Sequence, residues 1–373
     1  MDAKKRNFVT VFLNATDVHC SKDVGMIPRT FSDRFGFKSY LVCKDNGEFE
    51  QFDNLDIIKL GINKIWAEIR LVFFIVKNAK KIDLLNLYHW GRHSLYIGRL
   101  YKLFNKDGYL YVKCDMDDRG VSVLKNNKRA RKTFNKILEC ADLMSCESSR
   151  IRDELNSLFN YKIEWIPNGV EIVMNNYKTH KEKIILTVGR LGTEQKATEN
   201  LVDAFVKICH RIPEWDLLLV GDTTEKFEEY IDNVLYNNGL KGRIICTGNV
   251  SDKEKLINMY EKSAIFALPS RWESFALVML EALQCGCYFI GTDGIAPIKD
   301  VVTEEYIGSV VEIDNVQQLA DTILDVIETN KFLDDRFAEA RTEYVEKNFS
   351  WEEVCNKIYS IYKEDMIGNG IEN

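Results

Sequence analysis

The chain has 373 residues, 46% of them hydrophobic and 29% charged, with a formal net charge of -7; this excludes a disordered or fibrous protein and points to two domains of ordinary size. The apolar run at residues 71–76 falls far short of the roughly 20 residues a membrane span needs, and the N-terminal MDAKKRNFVTVFL enters a strand without a signal-peptide cleavage pattern, so a cytoplasmic protein is expected. Ten scattered cysteines with no CxxC pair argue against a zinc site and against a disulfide framework.

The charge is unevenly placed. Residues 1–178 hold 30 Lys and Arg against 22 Asp and Glu, a balance of +8, which leaves -15 for the remainder. A basic first half suits an anionic partner, whether lipid surface, nucleic acid or phosphorylated substrate.

Residues 8–13 predict a first strand, followed by the loop NATDVHCSKDVG, in which Gly25 permits close approach to a phosphate with His19 and Lys22 nearby, or simply makes a turn. Further apolar runs at residues 39–43, 83–87, 109–113, 142–146 and 162–166 alternate with helical patterns, which argues for a mostly parallel sheet covered on both faces. The helix pattern at residues 65–76 carries a dense apolar face flanked by Lys64, Arg70 and Lys77, which suits contact with a membrane or packing over the sheet, the latter being the favoured expectation. The run at residues 125–136, from Lys125 to Lys136, has six basic residues and no acidic one; it is either a solvated helix face or a contact for an anionic membrane. Nucleic acid is not expected, because the whole chain is acidic and no nucleic-acid module surrounds the run.

WIPNGV at residues 165–170 closes a first domain (1–178), and the polar EIVMNNYKTHKEK reads as a linker. A second strand series follows at residues 184–188, 216–220, 244–248 and 265–268. After its first strand, Arg190 and Lys196 share a loop with Gly189 and Gly192, where a planar fork and a point charge suit a diphosphate clamp. They lie two strands before IFALPSRWESFALVMLEALQCGCYFIGT (residues 265–292), which reads as strand, loop, helix and strand. Glu273 precedes this helix and Glu281 lies eight residues on, roughly 12 Å of helical rise and about the span of a sugar diphosphate. With the helix starting at Phe275, the free amides of Ser274, Phe275 and Ala276 are positioned for an anion, and the two carboxylates for sugar or ribose hydroxyls. A capping box, SWEE from Ser350, begins the last helix (residues 350–373) and leaves residues 179–349 as the second domain.

In combination IPNGV, VGRL with QKATENLVDAF, TGNVSDKEKLINMYEKSAIFALPS and above all ESFALVMLE resemble the retaining glycosyltransferases of family 4, most strongly over residues 163–309. The resemblance implies an α/β protein of the GT-B fold, with two facing Rossmann-like domains and a C-terminal helix returning to the first. It implies transfer from a nucleotide sugar, UDP expected ahead of GDP, to a glycan or polyprenyl-diphosphate-linked acceptor of a bacterial surface polysaccharide, with no cofactor or metal. Arg190 and Lys196 would hold the diphosphate, with backbone amides at Phe275, Ala276, Leu277 and Gly25. Glu281 would bind the ribose, Glu273 the donor sugar, and Gly248, Asn249 and Val250 the base. Many members have Gly at the position of Ala276. Where many relatives end a first-domain strand in a histidine near the donor sugar, this chain reads YLYVKCDMD, which offers Asp115, with His89 of LYHWGRH as its rival. The alternatives are a nucleotide-sugar epimerase on the same scaffold, separated by product analysis, and a non-catalytic sugar-nucleotide-binding subunit, which would bind without turnover.

Overall fold

The computed structural model describes residues 5–173 and 181–368, and its strands form two all-parallel sheets. The expected boundary at 178/179 and most of the linker lie outside the described residues. One compact unit comprises the described residues of Met1–Glu171 and Ser350–Asn373, the other those of Ile172–Phe349.

The first sheet contains β1 (Asn7–Val11), β2 (Lys38–Cys43), β3 (Asp56–Lys59), β4 (Leu84–Tyr88), β5 (Tyr109–Lys113), β6 (Leu143–Cys146) and β7 (Glu164–Trp165), in the order β3-β2-β1-β4-β5-β6-β7. The second contains β8 (Glu182–Val188), β9 (Asp216–Val220), β10 (Ile244–Cys246), β11 (Ser263–Leu268), β12 (Tyr288–Thr292) and β13 (Gly308–Val311), in the order β10-β9-β8-β11-β12-β13. Both orders reverse once, between β1 and β4 and between β8 and β11, and ligands of doubly wound sheets bind beyond the strand carboxyl ends at such reversals. The edge strands β3 and β13 escape a reading of apolar runs, because each is four residues long and only partly buried. Residues 244–248 do not all form strand: β10 stops at Cys246, and Gly248 turns away with φ 70°.

In the first unit, helix Asp23–Phe35 and the terminal helix Trp351–Gly368 pack together over one sheet face, where Phe8, Phe31, Tyr109, Trp351 and Ile358 are buried in one cluster. The Ser350 hydroxyl accepts the Glu353 amide at 3.3 Å, one half of the expected capping box. The Lys64–Asn78 helix corrects an expectation: only Ala67, Leu71 and Ile75 are buried, while Ile65, Trp66 and Phe73 face solvent. A period of 3.6 identifies an apolar face without saying what covers it. In the second unit, helices Thr198–Ile208 and Val316–Thr329 pack together, and the core runs through Ile185, Phe205, Leu217, Ile265 and Ile290.

Candidate functional site

β8 and β11 are neighbours, so the loops carrying Arg190, Lys196 and Glu273 flank the reversal itself rather than standing two strands apart. The Arg271 amide donates to the Gln195 carbonyl at 2.8 Å and ties the two loops together. Glu273 is fixed at its backbone by the loop after β12: its amide donates to the Gly294 carbonyl at 3.2 Å, and its carbonyl accepts the Ala296 amide at 3.0 Å.

Glu273 is buried, with 7% of the residue exposed. Its Oε1 accepts from Lys196 Nζ at 2.6 Å and Ser270 Oγ at 2.8 Å, and its Oε2 from Gln195 Nε2 at 3.2 Å. Gln195 in turn accepts from the exposed Arg190 guanidinium at 2.9 Å. A carboxylate carrying three donors, one of them cationic, is held in a single orientation. Gln195 and Ser270 were not singled out from the sequence, although each lies within three residues of Lys196 or Glu273.

The helix after β11 begins at Leu277, two residues later than expected. Phe275 is buried and Ala276 is left-handed, with φ 67° and ψ 73°, so Ser274 and Phe275 precede the helix instead of supplying its first amides. The amides of Leu277 and Val278 open the first turn, and that of Met279 donates to the Ala276 carbonyl at 2.9 Å. The expected 12 Å of rise is also corrected: Glu273 is outside the helix, and Glu281 stands about 6 Å up the axis from Leu277. The helix after β8 likewise starts behind a left-handed alanine, Ala197 at φ 44°. Such residues are enriched where structure holds strained backbone for function.

Glu281 accepts from Tyr260 at 2.9 Å, an interaction the sequence reading did not anticipate. Burial of Tyr260, reinforced by Glu281, holds its phenol well above the usual range, so the hydroxyl remains a donor that orients the carboxylate. The carboxyl ends of β8, β9 and β10 meet through backbone alone. Gly189 donates to Val220 and Gly221 to Gly248, each at 2.9 Å, and a Cβ on Gly221 would lie 1.8 Å from the Gly189 oxygen. Asn249 is exposed, with Gly248 and Val250 half-buried beside it.

In the first unit, Gly25 lies in the first turn of Asp23–Phe35. Its amide donates to the Lys22 carbonyl at 3.1 Å, and an added Cβ would stand 2.5 Å from the Cys20 backbone. Close packing explains this glycine, and its amide is not free for a phosphate as expected. His89 follows β4 at the reversal and Asp115 follows β5; both are exposed and left-handed, with φ 63° and 45°. The His89 amide donates to the Lys113 carbonyl at 2.8 Å, and His89 lines a cavity of about 230 Å³ with Phe12, Asn14, Lys44 and Tyr88.

Arg119 holds Asp117 at 2.6 Å. Lys113 is fully buried, bound to Glu147, to Asn168 at 2.7 Å and to Asp23 at 3.3 Å. Burial opposes its charge, but Glu147 and Asp23 together keep the ammonium protonated. Burial pushes the Glu147 carboxyl up while Lys113 opposes it.

The basic run divides at Asn127 into helices Asp118–Asn126 and Lys128–Leu138; Lys125 pairs with Glu154, and Lys128, Arg129 and Lys132 are exposed. Among the described residues no group of His, Cys, Asp and Glu is placed to hold a metal ion, and no helix is long and apolar enough to cross a membrane.

Residues 171–347 match the model of the family described as glycosyl transferases group 1. An uncharacterized glycosyltransferase of Methanocaldococcus jannaschii is 28% identical over 244 residues, 65% of each chain. A phosphatidyl-myo-inositol mannosyltransferase of Mycobacterium tuberculosis is 27% identical over 217 residues, 55% of this chain and 54% of its own. The matches thus span between about half and two thirds of these relatives' lengths. The crystal structure of Anabaena HepE in complex with UDP is similar with a TM-score of 0.74 at 16% identity, over 96% of this chain and 100% of that one. The fold is GT-B.

Proposed function

We propose, from the match of residues 171–347 to the glycosyl transferases group 1 family model, that this protein is a retaining glycosyltransferase. It moves a sugar from a nucleoside-diphosphate donor to a glycan or lipid-linked acceptor in surface-polysaccharide or glycolipid assembly. The observation that carries the reading is Glu273, buried and fastened by Lys196, Ser270 and Gln195 at the reversal of the second sheet.

In this reading an ammonium with three protons uses one on Glu273 and directs the others to the diphosphate, beside the Arg190 fork. Glu273 accepts from the donor sugar's hydroxyls, and Glu281, oriented by Tyr260, from the ribose. Backbone groups at Gly248, Asn249 and Val250 meet the base, and amides from Phe275 to Leu277 face the phosphates. The bond from the anomeric carbon to the diphosphate oxygen breaks as the acceptor oxygen attacks from the same face, and the acceptor proton passes to the departing phosphate. Negative charge grows where Arg190 and Lys196 stand, so the cations stabilise the transition state more than the ground state, without a metal. His89 or Asp115 orients the acceptor hydroxyl. UDP is favoured as the donor nucleotide, in line with the UDP held by the structurally similar HepE.

A thermal-shift screen of UDP, GDP and ADP sugars tests the reading, since a ligand at about 100 times its dissociation constant stabilises by about 2.7 kcal/mol. A stabilising donor should then yield a glycoside with the donor's anomeric configuration. Interconversion of free nucleotide sugars, or binding without turnover, would contradict it.

A further inference from the structure

The Lys64–Asn78 helix turns the wrong face outward for a purely structural element. It buries a seam of Ala67, Leu71 and Ile75, whereas Ile62, Ile65, Trp66 and Phe73 are 78, 71, 60 and 70% exposed, continuous with exposed Ile69 and Val72. Residues 62, 65, 66, 69, 72 and 73 follow one helical stripe. Isolated exposed apolar residues are ordinary, but a continuous stripe on one helix marks a contact surface.

Charge selects the kind of partner. Arg70, Lys77, Lys80 and Lys81 are all exposed around the stripe, and between residues 62 and 81 the sole acid is Glu68, 3.2 Å from His93. Helix Arg92–Phe104 packs between this helix and Lys128–Leu138, so the basic run belongs to the same layer. The middle helix adds exposed Tyr96 and Leu103, along with Arg92 and Arg99; Arg99 lies 3.8 Å from Glu139. A second copy docking through the same stripe would set these cations against their own equivalents, because an isologous contact is self-complementary. An interfacial helix with an apolar edge and basic flanks suits an anionic bilayer.

We propose that the Lys64–Asn78 helix lies on an anionic lipid surface with its Ile65, Trp66 and Phe73 edge among the acyl chains, while the basic residues of the same layer contact the headgroups. The biological purpose of this contact, access to a lipid-linked acceptor, rests on the proposed function; the contact itself rests on exposure and charge.

The test is sedimentation of the full chain with vesicles of phosphatidylcholine alone or mixed in equal parts with phosphatidylglycerol, without substrate. The protein is expected to sediment with the mixed vesicles only. Replacement of Trp66 and Phe73 together by serine should weaken binding about tenfold, since each ring withdrawn from the interface removes apolar burial. Quenching of tryptophan fluorescence by brominated lipid should disappear in Trp66→Phe, a variant that keeps the helix apolar. The proposal fails if wild type does not sediment, if the serine variant binds as wild type, if Trp66→Phe is quenched equally, or if light scattering shows a dimer that the serine variant abolishes. Donor turnover, measured separately, decides the transferase reading whichever way the vesicles behave.

Discussion

Lys196 and Glu273, 77 residues apart in sequence, meet at 2.6 Å across the loops after β8 and β11. The cation proposed for the diphosphate and the carboxylate proposed for the sugar therefore form one unit. A donor sugar is joined to its diphosphate by a single bond, so residues reading its two sides must be neighbours, and this pair is.

Ala276 occupies a left-handed conformation at φ 67°. A side chain there costs roughly 1–2 kcal/mol, against up to about 1 kcal/mol for the extra freedom glycine brings to the unfolded chain. Ala276→Gly is expected to leave stability unchanged or raise it by about 1 kcal/mol, as read from the urea midpoint. A loss of more than about 1 kcal/mol would show that the methyl group packs usefully.

How much was legible in the sequence follows from range. Glu273, Arg190, Lys196 and the long strands announce themselves within windows of a dozen residues, through turn residues and apolar runs. The pairing of Lys113 with Glu147 does not, because Lys113 sits within the apolar run YLYVK and acquires its partners from the residue after β6 and a distant turn. The start of the Leu277–Gln284 helix is not legible, because Phe275 and Ala276 are good interior residues whose backbone is set by the tertiary turn. Periodicity does not separate the exposed stripe on Lys64–Asn78 from a core face, because it cannot report a missing neighbour.

Lys113→Met should be strongly destabilising, by about 3–5 kcal/mol, because it leaves Glu147 as a buried carboxyl without its cation. The loss should depend on pH. Burial already raises the folded-state value of Glu147, and removing Lys113 raises it further. A carboxyl raised on folding contributes stability below its unfolded value and loses it as pH rises through the folded value, so the deficit should widen from acid towards neutral pH. Urea titrations across that range check this; a deficit independent of pH would contradict it.

Tyr260→Phe removes the hydroxyl that orients Glu281 while keeping the buried ring. It should raise the donor Michaelis constant several-fold with little change in turnover number, and Glu281→Gln should do the same more strongly, because ribose contacts hold ground and transition states alike. Steady-state kinetics at varied donor concentration separates this from a fall in turnover number at unchanged Michaelis constant, which would place Glu281 at the reacting centre.

Asp115 and His89 compete for the acceptor. Asp115→Asn should keep donor affinity and lose transfer to the acceptor far more than slow donor hydrolysis, if Asp115 orients the hydroxyl. Parallel assay of His89→Ala decides between them: normal transfer in Asp115→Asn with lost transfer in His89→Ala assigns the role to His89 at the reversal of the first sheet.

Glu273→Gln bears most directly on the account. The amide keeps the shape of the side chain and hydrogen bonding to Ser270, but removes the charge that faces Lys196 and the proposed sugar. With the donor identified by thermal shift, the variant is expected to bind the nucleoside diphosphate as wild type does while its turnover number falls by about 100-fold or more, the scale of losing one preorganised electrostatic contact. Normal turnover would remove Glu273 from the active site and contradict the account.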